Sequence, residues 1–217
     1  MYEDARGRED TRKRGVNVEK CHLVFNYRKA TQVLDYFAEK SDGTINRMKA
    51  LKLVYFADKY HLRKYGRLIT NDTYFAMDNG PVASGAKDLA EESDFTSREA
   101  QNYASSYIGA SGRYDYLAKR PTDRTELSSS DLEALDYAWD KFGHLDERGI
   151  VDLTHKYPDW YKHELALSLS GRAQMDLDDF FDDPECQVDK CFDLTEKDKE
   201  IRREHLREML VMESLWR

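Results

Sequence analysis

The sequence predicts an α+β fold that is predominantly α-helical, in which a compact helical domain surrounds a buried central helix at residues 46–66 and carries a small β element. Three observations lead to this class: one long segment is apolar around most of its circumference, further segments space their apolar residues as helices do, and short β-branched and aromatic runs lie beside turns. With 217 residues, the chain is long enough to bury a core of this kind.

The central helix is predicted from residues 46–67, NRMKALKLVYFADKYHLRKYGR, which contain no proline and no glycine before Gly66. Plotted at 100° per residue, its apolar side chains cover well over half of the circumference. An apolar arc of that width is too broad for one contact, so we expect other elements to surround this helix. Thr44 or Asn46 is expected to cap its start, and Gly66 suits the left-handed position at its end.

The remaining arc of the same helix carries cations and two aromatic rings. It is interpreted either as a solvated face, on which lysine stems cover the rings, or as a partner surface. For the second interpretation we name candidate partner-binding residues on this arc and in the following β element: Phe56, Lys59, Tyr60, Arg63, Tyr74, Gly80 and Pro81.

Two polar residues, Asp58 and His61, project into the apolar arc three positions apart. Buried polar groups need partners, so we expect a hydrogen bond between them, extended by a tyrosine hydroxyl. We assign Asp58, His61, His155 and Trp160 to a structural polar core. The alternative is the relay of a hydrolase formed by Asp58, His61 and His155, although the central stretch offers no nucleophile.

The other elements follow from local signals along the chain. Before the central helix we expect a mobile charged arm at residues 1–20, a short apolar run at 21–27 and a helix at 29–40. After it we expect a β element of residues 68–70 and 73–77, a turn at 79–82, a helix at 85–92 capped by Ser84, and a hairpin at 107–119 that turns at 109–112.

The second half of the chain is predicted to be helical. The motif SDLE at residues 130–133 is typical of a capping box and starts a helix that Gly143 ends, a short helix occupies 146–155, and a last helix runs from 195 to about 216. Residues 176–189 hold seven carboxylates around Phe180 and Phe181 but lack the glycine and final glutamate of a calcium loop. We expect a solvated acidic loop, and we place a domain boundary between residues 173 and 174.

Composition limits the classes of function. Residues 1–75 contain 16 Lys and Arg against 10 Asp and Glu, whereas residues 76–217 contain 18 against 32. An acidic chain of this kind is not typical of a nucleic-acid-binding protein. No apolar run reaches the roughly 18 residues of a membrane helix, no signal peptide is apparent, and Cys21, Cys186 and Cys191 fit reduced thiols. We therefore expect a cytoplasmic protein without metal or cofactor.

Several segments resemble the Panacea domain, the family of SocA-like and GepA-like bacterial and phage proteins. The resemblance begins near ATQVLDYFA at residues 30–38 and is strongest in MKALKLVYFADKYHLRKYGRLITNDTYFAMDNGPVASG at 48–85. It resumes at residues 126–135 and at Leu153, Thr154, His155 and Trp160, and covers about residues 29–165. Asn79 and Ala83 depart from the family pattern, which often has an aromatic residue or His before Gly-Pro-Val and a Pro after it.

The resemblance implies an antitoxin, without enzymatic turnover, that neutralises a cognate protein toxin by direct contact. Some relatives instead resemble adaptors that deliver a toxin to a Clp-type protease. A third interpretation, from the residues themselves, is a regulator that binds nucleic acid through the basic arm at residues 6–14 and the cationic arc of the central helix.

Overall fold

The computed structural model describes residues 23–184 and 193–215, and this part of the chain forms nine α-helices and six short strands around one hydrophobic core. The helices are α1 (Tyr27–Lys40), α2 (Arg47–Tyr65), α3 (Ser84–Ala90), α4 (Arg98–Ser105), α5 (Ser129–Phe142), α6 (Glu147–Thr154), α7 (Pro158–Tyr161), α8 (Glu164–Ser170) and α9 (Glu196–Leu215). The strands are β1 (Thr44–Asn46), β2 (Tyr74–Met77), β3 (Gly80–Ala83), β4 (Ile108–Ser111), β5 (Asp115–Ala118) and β6 (Arg172–Gln174). The predicted α+β, mainly helical class is confirmed. The charged arm predicted at residues 1–20 and all three cysteines lie outside the described residues.

Helix α2 is the central element, as predicted. Its start is capped by Asn46, whose side-chain oxygen accepts the backbone N–H of Met48 at 3.0 Å, and it ends at Gly66 with φ of 73°. Residues 50–63 are buried without interruption. Helix α5 lies along α2, and α1, α6 and α9 also contact it. These neighbours explain why a helix carrying several cations has no solvated face over those residues.

The first sheet has the order β3-β2-β6, with all strands antiparallel. Strand β2 forms a hairpin with β3, in which Tyr74 lies opposite Ala83 and Met77 opposite Gly80. The prediction that residues 68–70 would be the strand partner of β2 is wrong. The carboxylate of Asp58 accepts the backbone N–H groups of Ile69 and Thr70, so those groups are satisfied without a strand.

The second sheet has the order β1-β5-β4. Its β4–β5 hairpin confirms the one predicted at residues 107–119, but the chain turns at 112–114 and not at 109–112. Strand β1 adds to the other edge of β5, with Ile45 opposite Tyr116. This pairing places the start of α2 directly after a strand.

Two helices begin differently from the predictions. The capping box of α5 is formed by Ser128 and Asp131 and not by the residues at 130 and 133, because a run of three serines offers more than one cap. Ser84 does not cap α3. Instead the buried carboxylate of Asp72 accepts the N–H groups of Gly85 and Ala86, both at 2.8 Å, and burial raises the pKa of Asp72 to about 7.

The segment after β6 is not a solvated loop in its described part. Residues Leu177–Phe181 form a 3-10 helix whose Phe180 and Phe181 side chains are fully buried. The ring of Phe180 lies edge-on to Tyr55 and Tyr74 in the core. The apolar rings therefore anchor this acidic segment on α2, and α9 follows on the same side.

Candidate functional site

The seven candidate partner-binding residues lie in the interior of the protein. Each of them, namely Phe56, Lys59, Tyr60, Arg63, Tyr74, Gly80 and Pro81, is buried. The prediction of an exposed aromatic and cationic surface on α2 is therefore wrong. The charges of Lys59 and Arg63 are matched by groups from α7 and from the acidic segment, which cover this part of the arc.

Lys59 makes a deeply buried ion pair. Its ammonium group donates to Asp159 Oδ1 at 2.8 Å, and the side chains are 1% and 0% exposed. The other oxygen of Asp159 accepts the hydroxyl of Tyr55 at 2.8 Å. The ammonium group also lies 5.0 Å from the ring centre of Tyr157 and 5.3 Å from that of Phe180. Every one of these groups faces inward, so the pair fixes α7 on α2 and is closed to solvent.

Arg63 fastens the acidic segment to the same helix. Its guanidinium group donates to the carbonyl oxygens of Phe180 and Phe181 at 3.2 and 2.8 Å, and to Asp183 Oδ1 at 2.7 Å. Asp183 also accepts from Lys199 of α9 at 2.6 Å. The planar arginine fork thus binds two backbone carbonyls through Nη1 and a carboxylate through Nη2.

Three further acidic residues of this segment also face cations. Asp178 and Asp182 pair with Arg203, Asp178 with Arg207, and Lys162 pairs with Asp179 and Asp182. Among the described residues, no group of three or more His, Cys, Asp or Glu side chains converges to hold a metal ion. The carboxylates of this segment act as docking groups for α7 and α9.

Lys52 is a buried cation whose described partner is a backbone oxygen. Its ammonium group donates to Pro81 O at 2.7 Å, and burial lowers the pKa of this lysine to about 7. Gly80, with φ of +91°, lets the backbone approach: a Cβ there would lie 2.4 Å from Thr154 Oγ1 and 3.2 Å from the Lys52 ammonium nitrogen. The Gly-Pro turn therefore packs directly against Lys52 and Thr154.

Asp58 and His61 are both buried but do not bond to each other as predicted. Asp58 accepts the hydroxyls of Thr70 and Tyr74 in addition to two backbone N–H groups, so the predicted tyrosine partner is present. Burial raises the pKa of Asp58, and these hydrogen bonds oppose that rise. The residue holds the 68–74 segment against α2.

His61 joins α2 to the start of α5. Its Nδ1 lies 2.7 Å from the carbonyl of Arg67 and therefore carries the proton, and its Nε2 lies 3.1 Å from Ser130 Oγ. Burial lowers the pKa of His61. A hydroxyl beside an imidazole can serve as a nucleophile and its base. Here the imidazole is fully buried, and Ser130 Oγ also accepts from Arg67 and bonds to Ser128, so the geometry is that of a structural link.

His155 and Trp160 form a second, separate contact. Their rings stack at 3.8 Å between centres, and the indole N–H of Trp160 donates to Met77 O at 3.0 Å. This contact holds the end of β2 against the segment that joins α6 to α7. With Asp58 and His61 engaged elsewhere, the three residues of the proposed hydrolase relay are not joined by hydrogen bonds.

Large apolar side chains are exposed elsewhere, at positions that the sequence interpretation did not select. Phe95, in the loop between α3 and α4, is 92% exposed, and Leu165 and Leu169 of α8 are 78% and 84% exposed. Phe95 stands alone among polar and acidic residues, which is the signal that could have identified it. No helix in the described part of the chain is long and apolar enough to cross a bilayer.

Comparison with known protein families identifies a match. A family model described as "Antitoxin SocA-like, Panacea domain" matches residues 51–161. The matched segment runs from within α2 to the end of α7. It includes the Lys59–Asp159 pair, the hydrogen bond from Lys52 to the Gly-Pro turn, and the loop that carries Phe95. No curated protein and no solved structure matches the chain.

Proposed function

This chain belongs to the family of SocA-like antitoxins with a Panacea domain, and on that premise we propose that it is the cytoplasmic antitoxin of a bacterial or phage toxin–antitoxin system. It neutralises a cognate protein toxin by direct, stoichiometric contact and without enzymatic turnover. The toxin is the only partner that this proposal requires, and no cofactor takes part.

One observation supports a binding role above all: four polar side chains of α2, all in the matched region, are engaged within the protein. Lys59, Arg63, Asp58 and His61 are buried and hydrogen-bonded to named partners, and they brace the elements around α2. Catalysis needs reacting groups within reach of a substrate, whereas binding needs only a firm scaffold and its surface. A rigid core with exposed apolar side chains suits the second task.

The burial of three α2 cations also weakens the nucleic-acid hypothesis. Lys52, Lys59 and Arg63 are each about 1% exposed and cannot reach a phosphate backbone. The basic arm at residues 6–14, the other part of that hypothesis, lies outside the described residues. We therefore retain protein binding as the proposed mode.

Co-expression tests this proposal. The product of the neighbouring gene is expressed from an inducible promoter with and without this chain, and growth and co-purification are measured. We expect growth to recover and the two proteins to elute together in a fixed ratio. Unrelieved growth arrest with no co-purification would overturn the proposal.

The same experiment separates neutralisation from delivery to a protease. Toxin abundance is followed by immunoblot in strains with and without Clp-type proteases. Direct neutralisation predicts rescue at unchanged toxin abundance in both strains. A fall in toxin abundance in the strain that has the protease, together with failure of the rescue in the strain that lacks it, would contradict stoichiometric contact and favour an adaptor.

A further inference from the structure

Phe95 is the most exposed large apolar side chain in the part of the chain that the structure describes. At 92% exposure it contributes almost nothing to the core of this protein. An aromatic ring of this kind buries about 150–250 Å² when it enters a pocket. The ring is therefore free to contribute this area to a complex.

The loop that carries Phe95 is held in one shape. The N–H of Ser93 donates to Asp88 O at 2.9 Å, the N–H of Thr96 donates to Ser93 O at 3.1 Å, and the N–H of Phe95 itself donates to Ser93 Oγ at 3.3 Å. Ser97 then caps α4 through Ala100 N–H at 3.2 Å. Because the loop is already ordered, little conformational entropy would be lost when the ring is buried by a partner.

The residues that precede Phe95 carry one sign of charge, and Arg98 is the first cation after it. Four carboxylates lie within residues 88–94, which contain no lysine or arginine: Asp88, Glu91, Glu92 and Asp94. Lys87 pairs with Glu91 at 2.6 Å and offsets one of them. An apolar ring within a negative rim is complementary to an apolar pocket bordered by Lys and Arg.

We propose that the Phe95 loop, residues 91–97, is the surface on which the toxin docks, with the Phe95 ring inserted into an apolar pocket that lysine and arginine side chains border on the toxin. This inference rests on the proposed antitoxin function and specifies the contact through which it acts. Phe95 provides the affinity of the contact, and the acidic rim provides the rate and orientation of encounter.

The test measures binding of the full chain to the purified product of the neighbouring gene by calorimetry. We expect Phe95→Ala to raise the Kd by about 30-fold or more, the loss typical of a central aromatic anchor. Tyr114→Ala, at another exposed aromatic residue in a turn, is the matched control and is expected to leave the Kd within about 2-fold. Circular dichroism and thermal melting confirm that both variants are folded.

A second variant tests the charged rim. Asp94→Lys is expected to slow association by about 3- to 10-fold at low salt, with little change at high salt. If Phe95→Ala binds with wild-type affinity, the inference is overturned and the proposed function stands. The same holds if binding is lost in Leu169→Ala alone. If the wild-type chain itself fails to bind, the proposed function fails and this inference fails with it.

Discussion

Replacing Lys59 by methionine tests the buried ion pair on which the packing of α7 against α2 depends. Methionine keeps most of the side-chain volume but leaves the fully buried Asp159 with the Tyr55 hydroxyl and without its cation. Removing one member of a buried ion pair costs about 3–5 kcal/mol. Against a typical total stability of about 5–15 kcal/mol, such a loss is large.

The assay is urea denaturation followed by tryptophan fluorescence. Lys156→Met, at an exposed lysine three residues before Asp159, is the control and is expected to change stability by less than about 0.5 kcal/mol. The double variant Lys59→Met/Asp159→Asn removes both charges and is expected to recover most of the loss. The reasoning is refuted if Lys59→Met loses less than about 1 kcal/mol, or if the double variant is less stable than the single one.

Three further predictions concern the same interior. Arg63→Lys keeps the charge but loses the fork that binds two carbonyls, and we expect a loss of about 2 kcal/mol in urea denaturation; an unchanged midpoint would contradict this. Gly80→Ala should lower the free energy of unfolding by more than about 2 kcal/mol, because the new Cβ has no space. Gly112→Ala, with φ of +74° and nothing within 4 Å of the new Cβ, should lower it by only about 1 kcal/mol. Equal losses would show that space at Gly80 is not limiting. Burial lowers the pKa of Lys52 from 10.5 to about 7, so the unfolded chain binds more protons than the folded chain between these pH values. The free energy of unfolding should therefore rise by about 2 kcal/mol from pH 7 to pH 9, and this rise should be smaller by that amount in Lys52→Met. Identical pH profiles of the two proteins would refute the lowered pKa of Lys52.

Local signals predicted the central helix well. The side-chain oxygen of Asn46 and the left-handed Gly66 act within a few residues of the helix ends, and the breadth of the apolar arc is a property of the helix alone. The β4–β5 hairpin was predicted for the same reason, since its strands and turn are contiguous in the chain. Where two local signals competed, as with Ser128 and Ser130, the choice depended on which serine faced Asp131 in the folded helix.

The sequence by itself therefore determined the family, the helical class and the element around which the core forms, because periodicity and caps depend on residues close together in the chain. Only the tertiary structure decided that the cationic face of α2 is covered. Asp159 lies 100 positions from Lys59, and Asp183 lies 120 positions from Arg63. A cation is buried or exposed according to whether a distant carboxylate reaches it, and hydrophobic periodicity along one helix contains no information about that partner.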